Sequence, residues 1–319
     1  MLKNAHLSRL YFNIHSVILF TLRLCVFFFS VLILNIFSTH YVWSIEVHRF
    51  EDTTRIVSVG GALTEIVYAL DAQNDLIARD TTSMYPSDAL KLPDIGYMRA
   101  LSPEGILSLN PHGILLVEGS GPSTTIEILA NTSVPMIVVP ENFTKEGIIE
   151  KIKIIGQALH REKQSNELIK KVVEEFKIND DFLNTIKKPK KILFALSVQN
   201  GRVMASGKNT AADGVIKLSG AVNAINEFEG YKILNDEAII NAAPDLILMM
   251  DHGGVNTSIE DVMKIPSVTT TPAAKNKAVI KMDGLYLLSF GPRTPLAVRE
   301  LAHALYGKSD QNTRANRTH

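Results

Sequence analysis

The chain is 319 residues long, and its 33 basic and 33 acidic side chains give a formal net charge of zero. That balance argues against a polyanion such as nucleic acid as partner. A single cysteine, Cys25, excludes an internal disulfide framework and a zinc-thiolate centre.

Residues 1–44 carry Lys3, Arg9 and Arg23 and no acid. Val17 to Phe37 is almost wholly apolar, and polar Ser38, Thr39 and His40 lead into Val42-Trp43-Ser44. A basic start, an apolar run and small residues at its end predict a secretory signal peptide cleaved after Ser44. The alternative is an uncleaved anchor, since about 20 apolar residues span a bilayer. Lipid attachment at Cys25 is disfavoured, because Leu24 stands where a small residue is needed. Cleavage leaves 30 basic and 33 acidic side chains and no thiol in residues 45–319, so any metal site there must use oxygen and nitrogen ligands. No short-period repeat is present, which argues against a solenoid.

The β-branched run Arg55 to Val59, the turn Gly60-Gly61-Ala62 and the apolar stretch Leu63 to Leu70 predict strand, glycine turn and helix. A strand Leu76 to Arg79 leads into a long polar loop, Asp80 to Pro93, of the kind that carries function. Ser102 and Pro103 open a short helix that Asn110-Pro111 stops. The strand Gly113 to Val117, a helix through Ile126 to Ala130 and the strand Met136 to Val139 continue an α/β alternation. Thr144 to about Ile186 reads as one long charged helical region. Beyond it, the strand Ile192 to Leu196, a loop Ser197 to Asn209, helices from Thr210 and Asn235 and the strand Leu246 to Met249 restart the α/β pattern.

Leu101-Ser-Pro-Glu104 through Leu116 rhymes with Leu234-Asn-Asp-Glu237 through Leu248: an acid in the first helical turn, a proline after the helix, then an apolar strand. The expected architecture is therefore two Rossmann-like α/β lobes joined by one long helix, with a ligand cleft between the lobes. The expected divisions are a signal peptide at 1–44, a first lobe at 45–143, a connecting helical region at 144–187, a second lobe at 188–308 and a disordered tail at 309–319.

The chemistry narrows mainly by exclusion. Gly60-Gly61-Ala62 lacks the third glycine of a dinucleotide turn, and there is no Gly-Lys-Ser/Thr phosphate loop, nucleophile elbow or His-Glu-x-x-His helix. Of the histidines, only His252, in the loop Asp251 to Gly254, is placed for a cleft, and a lone loop histidine is ordinarily just solvated. No multi-histidine zinc or manganese site can be assembled. Tyr97 and Arg99 are the sharper pair. If Ile95 to Arg99 is extended, both point to one side, and a guanidinium beside a phenol favours the phenolate, a hard anionic ligand for ferric iron. The other reading stays open: Tyr97 packs, and Arg99 pairs with a neighbouring acid such as Asp94.

The segments Thr81 to Pro86, Leu92-Pro-Asp-Ile-Gly-Tyr-Met-Arg99 and Leu101 to Pro111 resemble the haemin-binding periplasmic proteins of bacterial haem ABC importers, within the iron-siderophore and cobalamin class. Ala205 to Asp213, Phe228 to Lys232 and Ser289 to Pro295 extend the resemblance, which covers about Arg55 to Tyr306. It implies a haem (ferric haem b) held between two lobes as transported ligand, with Tyr97 as the axial ligand and Arg99 stabilising its phenolate. Met98, Gly60 and Gly61 are implied supports. Lys208, Asn209, Tyr231 and Arg293 are candidate partners for the haem propionates. The histidine that some members carry in the loop after the first strand of the second lobe is missing from Leu196 to Asn200. The expectation is thus a five-coordinate tyrosinate site, or a distal group such as Met204. By the same resemblance Glu104 and Glu237, one per lobe, dock on arginines of the membrane permease, although the helix dipole alone explains an acid at either position. The implied protein is a monomeric periplasmic receptor and no enzyme; the alternative is a ferric-siderophore or cobalamin receptor.

Overall fold

The computed structural model describes residues 49–251 and 257–307. The signal peptide with Cys25, the histidine His252 and the tail at 309–319 lie outside the described residues. Among the described residues no helix is long and apolar enough to cross a membrane.

The first lobe is a four-stranded parallel sheet. Strands β1 (Ile56–Val59), β2 (Leu76–Arg79), β3 (Gly113–Val117) and β4 (Met136–Val139) lie in the order β2-β1-β3-β4. Helices α1 (Gly61–Ala69), α2 (Pro103–Leu107) and α3 (Ser123–Ala130) connect them. β1 and β3 are buried at every position, which is why they read as continuous apolar runs instead of alternating ones.

The predicted single helical region is two helices, α4 (Lys145–Ala158) and α5 (Glu162–Leu183). Thr144 caps α4 by accepting from the Gly147 N–H. The chain breaks at His160, which takes a positive φ of 55°. The Arg161 N–H bonds back to the Gly156 carbonyl at 2.7 Å and the His160 N–H to Gln157. That pattern is a Schellman cap with histidine where glycine is usual, so no glycine or proline marked the stop in the sequence. The 22-residue α5 is the long connecting helix.

The second lobe is a mixed sheet of β5 (Lys191–Gln199), β6 (Arg202–Ser206), β7 (Val222–Asn223), β8 (Tyr231–Ile233), β9 (Leu246–Asp251) and β10 (Val279–Asp283). Its order is β10-β9-β5-β6-β8, with β7 paired to β5. The expected loop Ser197 to Asn209 is instead mostly an antiparallel hairpin in which Gln199 pairs with Arg202. Asn200 and Gly201 both have positive φ, 52° and 74°, as a primed two-residue turn demands. Helices α6 (Ala211–Leu218) and α7 (Asp236–Ala242) are capped by Thr210 and Asn235. Short helices α8 (Ile259–Met263), α9 (Pro266–Thr269), α10 (Pro272–Lys275) and α11 (Gly284–Leu288) precede the closing helix α12 (Thr294–Tyr306).

One buried apolar cluster runs through both lobes, taking in Ile56 of β1, Ile152 of α4, Phe176 of α5 and Phe194 of β5. Asn179 of α5 donates to the Pro295 carbonyl at 2.7 Å and accepts from Arg299 of α12 at 2.9 Å. The lobes therefore share a core, and a change in their relative angle must disturb close-packed side chains.

Candidate ligand cleft

The loop after β2 is held by one carboxylate. Asp80 is fully buried and accepts from the Gly60 N–H at 2.9 Å, the Thr82 N–H at 3.0 Å, and the hydroxyls of Thr82 and Ser83 at 2.6 Å each. Gly60 and Gly61 are what allow this approach. Gly60 has a φ of 115°, and a Cβ there would lie 2.7 Å from Val117 Cγ1; a Cβ on Gly61 would lie 2.7 Å from the Thr82 carbonyl oxygen. Four donors on one acid fix the Asp80–Ser83 turn, beyond which a short 3-10 helix, Ser87–Lys91, forms within the loop.

A second strip of chain is tied to the first. Ile95 N–H bonds to the Arg79 carbonyl at 3.0 Å and Thr81 N–H to the Gly96 carbonyl at 2.9 Å. Asp94 accepts from the Arg79 guanidinium at 2.7 Å, so the neighbouring acid suggested for Arg99 is already paired elsewhere. Gly96 then turns with φ 93°, and Tyr97 to Ala100 forms a turn closed by a 2.7 Å bond from Ala100 N–H to the Tyr97 carbonyl. Ile95 to Arg99 is therefore not a strand, and the expectation that Tyr97 and Arg99 share a strand face is corrected. Met98 is the anchor of the turn: its carbonyl accepts from Gly121 N–H at 2.9 Å, and its half-buried side chain packs against two core clusters. Tyr97 projects from this stem with 46% of its surface exposed. No hydrogen bond joins its hydroxyl to Arg99 among the described residues.

Arg99 is exposed and faces the second lobe, where its charge acts on the Tyr231 phenol of β8. Burial raises the Tyr231 pKa above the ordinary 10.0, while Thr210, the Ala212 N–H and Arg99 pull it back. Tyr231 is thus a neutral hydrogen-bonding phenol and not a second phenolate. Lys208 is exposed beside it, its backbone paired with Phe228 and Gly230. Asn209 takes φ 57° and donates its N–H to Asp213 at 3.2 Å. Met204 is half-buried on β6, between Val203 and Ala205, whose side chains enter the core.

A cavity of about 930 Å³ is lined from the first lobe by Gly61, Glu65, Thr81, Thr82, Met84 and Tyr85. The second lobe contributes Asp251, Lys281, Tyr286, Ser289 and Arg293, among others. Arg293 donates from its backbone N–H and from Nε to the buried Glu65, both at 3.0 Å. Its guanidinium lies 3.4 Å from the Tyr85 ring centroid. Burial raises the Glu65 pKa, and Arg293 opposes the shift. Glu65, Met84 and Tyr85 escaped sequence reading; the signal was the Ser-Met-Tyr-Pro stretch in a long loop. Among the described residues no group of three or more His, Cys, Asp and Glu could hold a metal ion.

Glu104 and Glu237 are both exposed in the first turns of α2 and α7. The elements that follow them are equivalent: β3 pairs in parallel with β1, as β9 does with β5.

Known proteins resemble this arrangement. The chain is 27% identical over 259 residues to the uncharacterized ABC transporter substrate-binding lipoprotein YvrC of Bacillus subtilis (strain 168), covering 80% of this chain and 81% of that one. It is 24% identical to the vitamin B12-binding protein of Vibrio parahaemolyticus, over 79% of this chain and 89% of that one. Among solved structures, the periplasmic heme-binding protein BhuT in complex with two hemes shares 34% identity at a TM-score of 0.74, over 79% of this chain and 99% of that one. The periplasmic heme-binding protein RhuT from Roseiflexus sp. RS-1 shares 34% identity at a TM-score of 0.75, over 80% and 98%. With residues 56–285 matching its family description, the chain belongs to the periplasmic binding protein family.

Proposed function

We propose that this protein is a periplasmic haem receptor that takes up ferric haem b through the Tyr97 phenolate and passes it to an inner-membrane ABC permease. The observation that carries the reading is a nearly half-exposed phenol on a rigid stem at the mouth of a two-lobed cleft. Its support is the 34% identity to two heme-binding periplasmic proteins. Ferric iron prefers an anionic oxygen ligand. The family resemblance assigns Arg99, the exposed cation two residues away, to stabilising that anion. Lys208 and Arg293 serve as cations for the ligand's carboxylates, with Asn209 and neutral Tyr231 as hydrogen-bond donors. Gly60, Gly61 and Met98 serve by shaping and anchoring the loops. Met204 is the distal side chain on the second lobe, in a strand without histidine.

Glu104 and Glu237 are the docking carboxylates for basic residues of the permease. The leader at 1–44 exports the protein, and the mature chain acts as a monomer that carries its ligand without turning it over.

A second reading, a cobalamin or ferric-siderophore receptor, draws on the vitamin B12-binding relatives. Titration of residues 45–319 with ferric haemin, beside Tyr97→Phe, tests the choice. Saturable uptake of one equivalent with a tyrosinate-type absorption spectrum that Phe removes is the expected result. Absence of saturable uptake, with cyanocobalamin binding instead, overturns the haem reading.

A further inference from the structure

The loop that joins α5 to β5 carries four lysines in five residues, Lys187-Lys188-Pro189-Lys190-Lys191. Lys190 is its staple. The Lys190 N–H donates to the Tyr306 hydroxyl at 3.0 Å and its Nζ to the Leu305 carbonyl at 2.5 Å, which fastens the loop to the end of α12. Lys187, Lys188 and Lys191 are exposed, and among the described residues none of the three side chains has an ion-pair partner. The neighbouring acid, Asp245, accepts from the Lys191 backbone N–H at 2.9 Å. Among these cations stands an apolar side chain: Val222 donates its N–H to the Lys190 carbonyl at 2.9 Å, pairs with Lys191 across β5 and β7, and is 47% exposed. The chain leaves α12 beside this loop, and the sequence beyond Gly307 adds Lys308, Arg314 and Arg317 against one acid, Asp310. The corner lies away from the cavity. Lys191 opens β5, and β5, β9 and β10 run parallel, whereas Asp251 and Asp283 line the cavity from the C-terminal ends of β9 and β10. The six residues of β9 put about 20 Å between the two ends.

We propose that this corner is a membrane-contact surface, on which Lys187, Lys188 and Lys191, with Val222 among them, bind the anionic headgroups of a phospholipid bilayer. The proposal is independent of which ligand the cleft takes. An anionic bilayer attracts each nearby lysine strongly enough to raise partition about fivefold, and the contributions of a cluster multiply. Pro189 restricts the backbone between the outward lysines, so less freedom is lost when they meet a surface. The exposed valine selects a bilayer over a soluble anion, because only the headgroup and acyl boundary offers it an apolar environment. Contact at this end leaves the cavity, at the other end of the strands, open to its ligand.

The test is co-sedimentation of residues 45–319 with vesicles of phosphatidylglycerol and phosphatidylcholine in equal parts, beside vesicles of phosphatidylcholine alone. Binding to the mixed vesicles only, lost at high salt, is expected. Combining Lys187→Gln, Lys188→Gln and Lys191→Gln should weaken it on the order of a hundredfold. Val222→Ser should weaken it by a smaller factor and leave its salt dependence unchanged. All four positions are exposed, so the variants should keep their fold, which circular dichroism and the urea midpoint check. Equal binding to neutral vesicles, binding that the triple variant retains, or no binding overturns the proposal. Release from the vesicles by inorganic phosphate at constant ionic strength would mark a soluble-anion site and overturn it as well. So would self-association without vesicles that the triple variant abolishes, which would assign the corner to a second copy of the chain. None of these outcomes bears on the receptor reading, whose test is the haemin titration.

Discussion

Gly60 shows how a single position can mislead and then explain itself. The glycine pair after β1 invites a nucleotide-binding interpretation, which the missing third glycine already argued against. Its structural reason is different: a φ of 115° and a wall formed by Val117, with the N–H handed to Asp80. Gly60→Ala must both strain the backbone and displace Val117. The expected cost is about 1–3 kcal/mol of stability, read as a lower urea midpoint. An unchanged midpoint would mean that the turn can relax and that the Asp80 network is not what holds the loop. Residue type and neighbours singled out Tyr97 as a candidate, but its geometry relative to Arg99 was not legible. Strand periodicity assumes regular backbone, and Gly96 with its φ of 93° breaks that regularity one residue before Tyr97.

Short helices α2 and α7 are where element-scale reasoning succeeded. Each has an asparagine or serine cap, an acid in the first turn and a parallel strand after it. The carboxyl of Glu104 is held below the usual carboxylate range by its own backbone N–H and by the Ser102 hydroxyl. A folded value below the unfolded 4.5 means that the stabilisation is present above that value and is lost as pH falls through the lowered one. Glu104 therefore stays ionised throughout the mildly acidic range a periplasm meets. Replacing Glu104 and Glu237 together with Gln should leave haemin titrations unchanged and abolish stimulation of ATP hydrolysis by the reconstituted importer. Undiminished stimulation would return both acids to a purely helix-capping role. Two elements escaped sequence reading for nameable reasons. The β5–β6 hairpin carried its Asn200-Gly201 signal in plain view, whereas the α4–α5 break rests on His160 adopting a conformation its sequence does not announce.

At the scale of the whole molecule, one lysine pins the lobes together. Lys151 of α4 is fully buried; its Nζ donates to Glu141 and, at 3.3 Å, to the carbonyl of Phe290 in the second lobe. Phe290 in turn packs edge-on against Phe143 with ring centroids 5.2 Å apart. Removing one partner of a buried ion pair leaves the other charge uncompensated, so Lys151→Ala should cost about 3–5 kcal/mol. Lys151→Met, which keeps the volume, should cost less when Glu141→Gln accompanies it. Burial, opposed by Glu141, holds the Lys151 pKa below the ordinary 10.5. Unfolding then takes up a proton between the lowered value and 10.5, so this contribution to stability grows as pH rises through that window and falls away below it. Denaturation midpoints of wild type measured against Lys151→Met should therefore improve from neutral pH toward 10.5. A constant difference would show that Lys151 titrates as an ordinary lysine.

The amino-acid sequence by itself determined the basic and apolar, acid-free character of residues 1–44, the absence of any thiol beyond Cys25, the alternation of strands and helices, and Tyr97 as a candidate ligand. These are local properties: composition, periodicity, capping residues and turn glycines act within a few positions of one another. Only the tertiary structure decided which cations stand exposed near the cleft and which are already engaged. Arg293 reaches Glu65 from 228 residues away, and the charge of Arg99 acts on Tyr231 of the other lobe. Such pairings follow from how two sheets and α5 pack, and packing leaves no periodic trace along the chain.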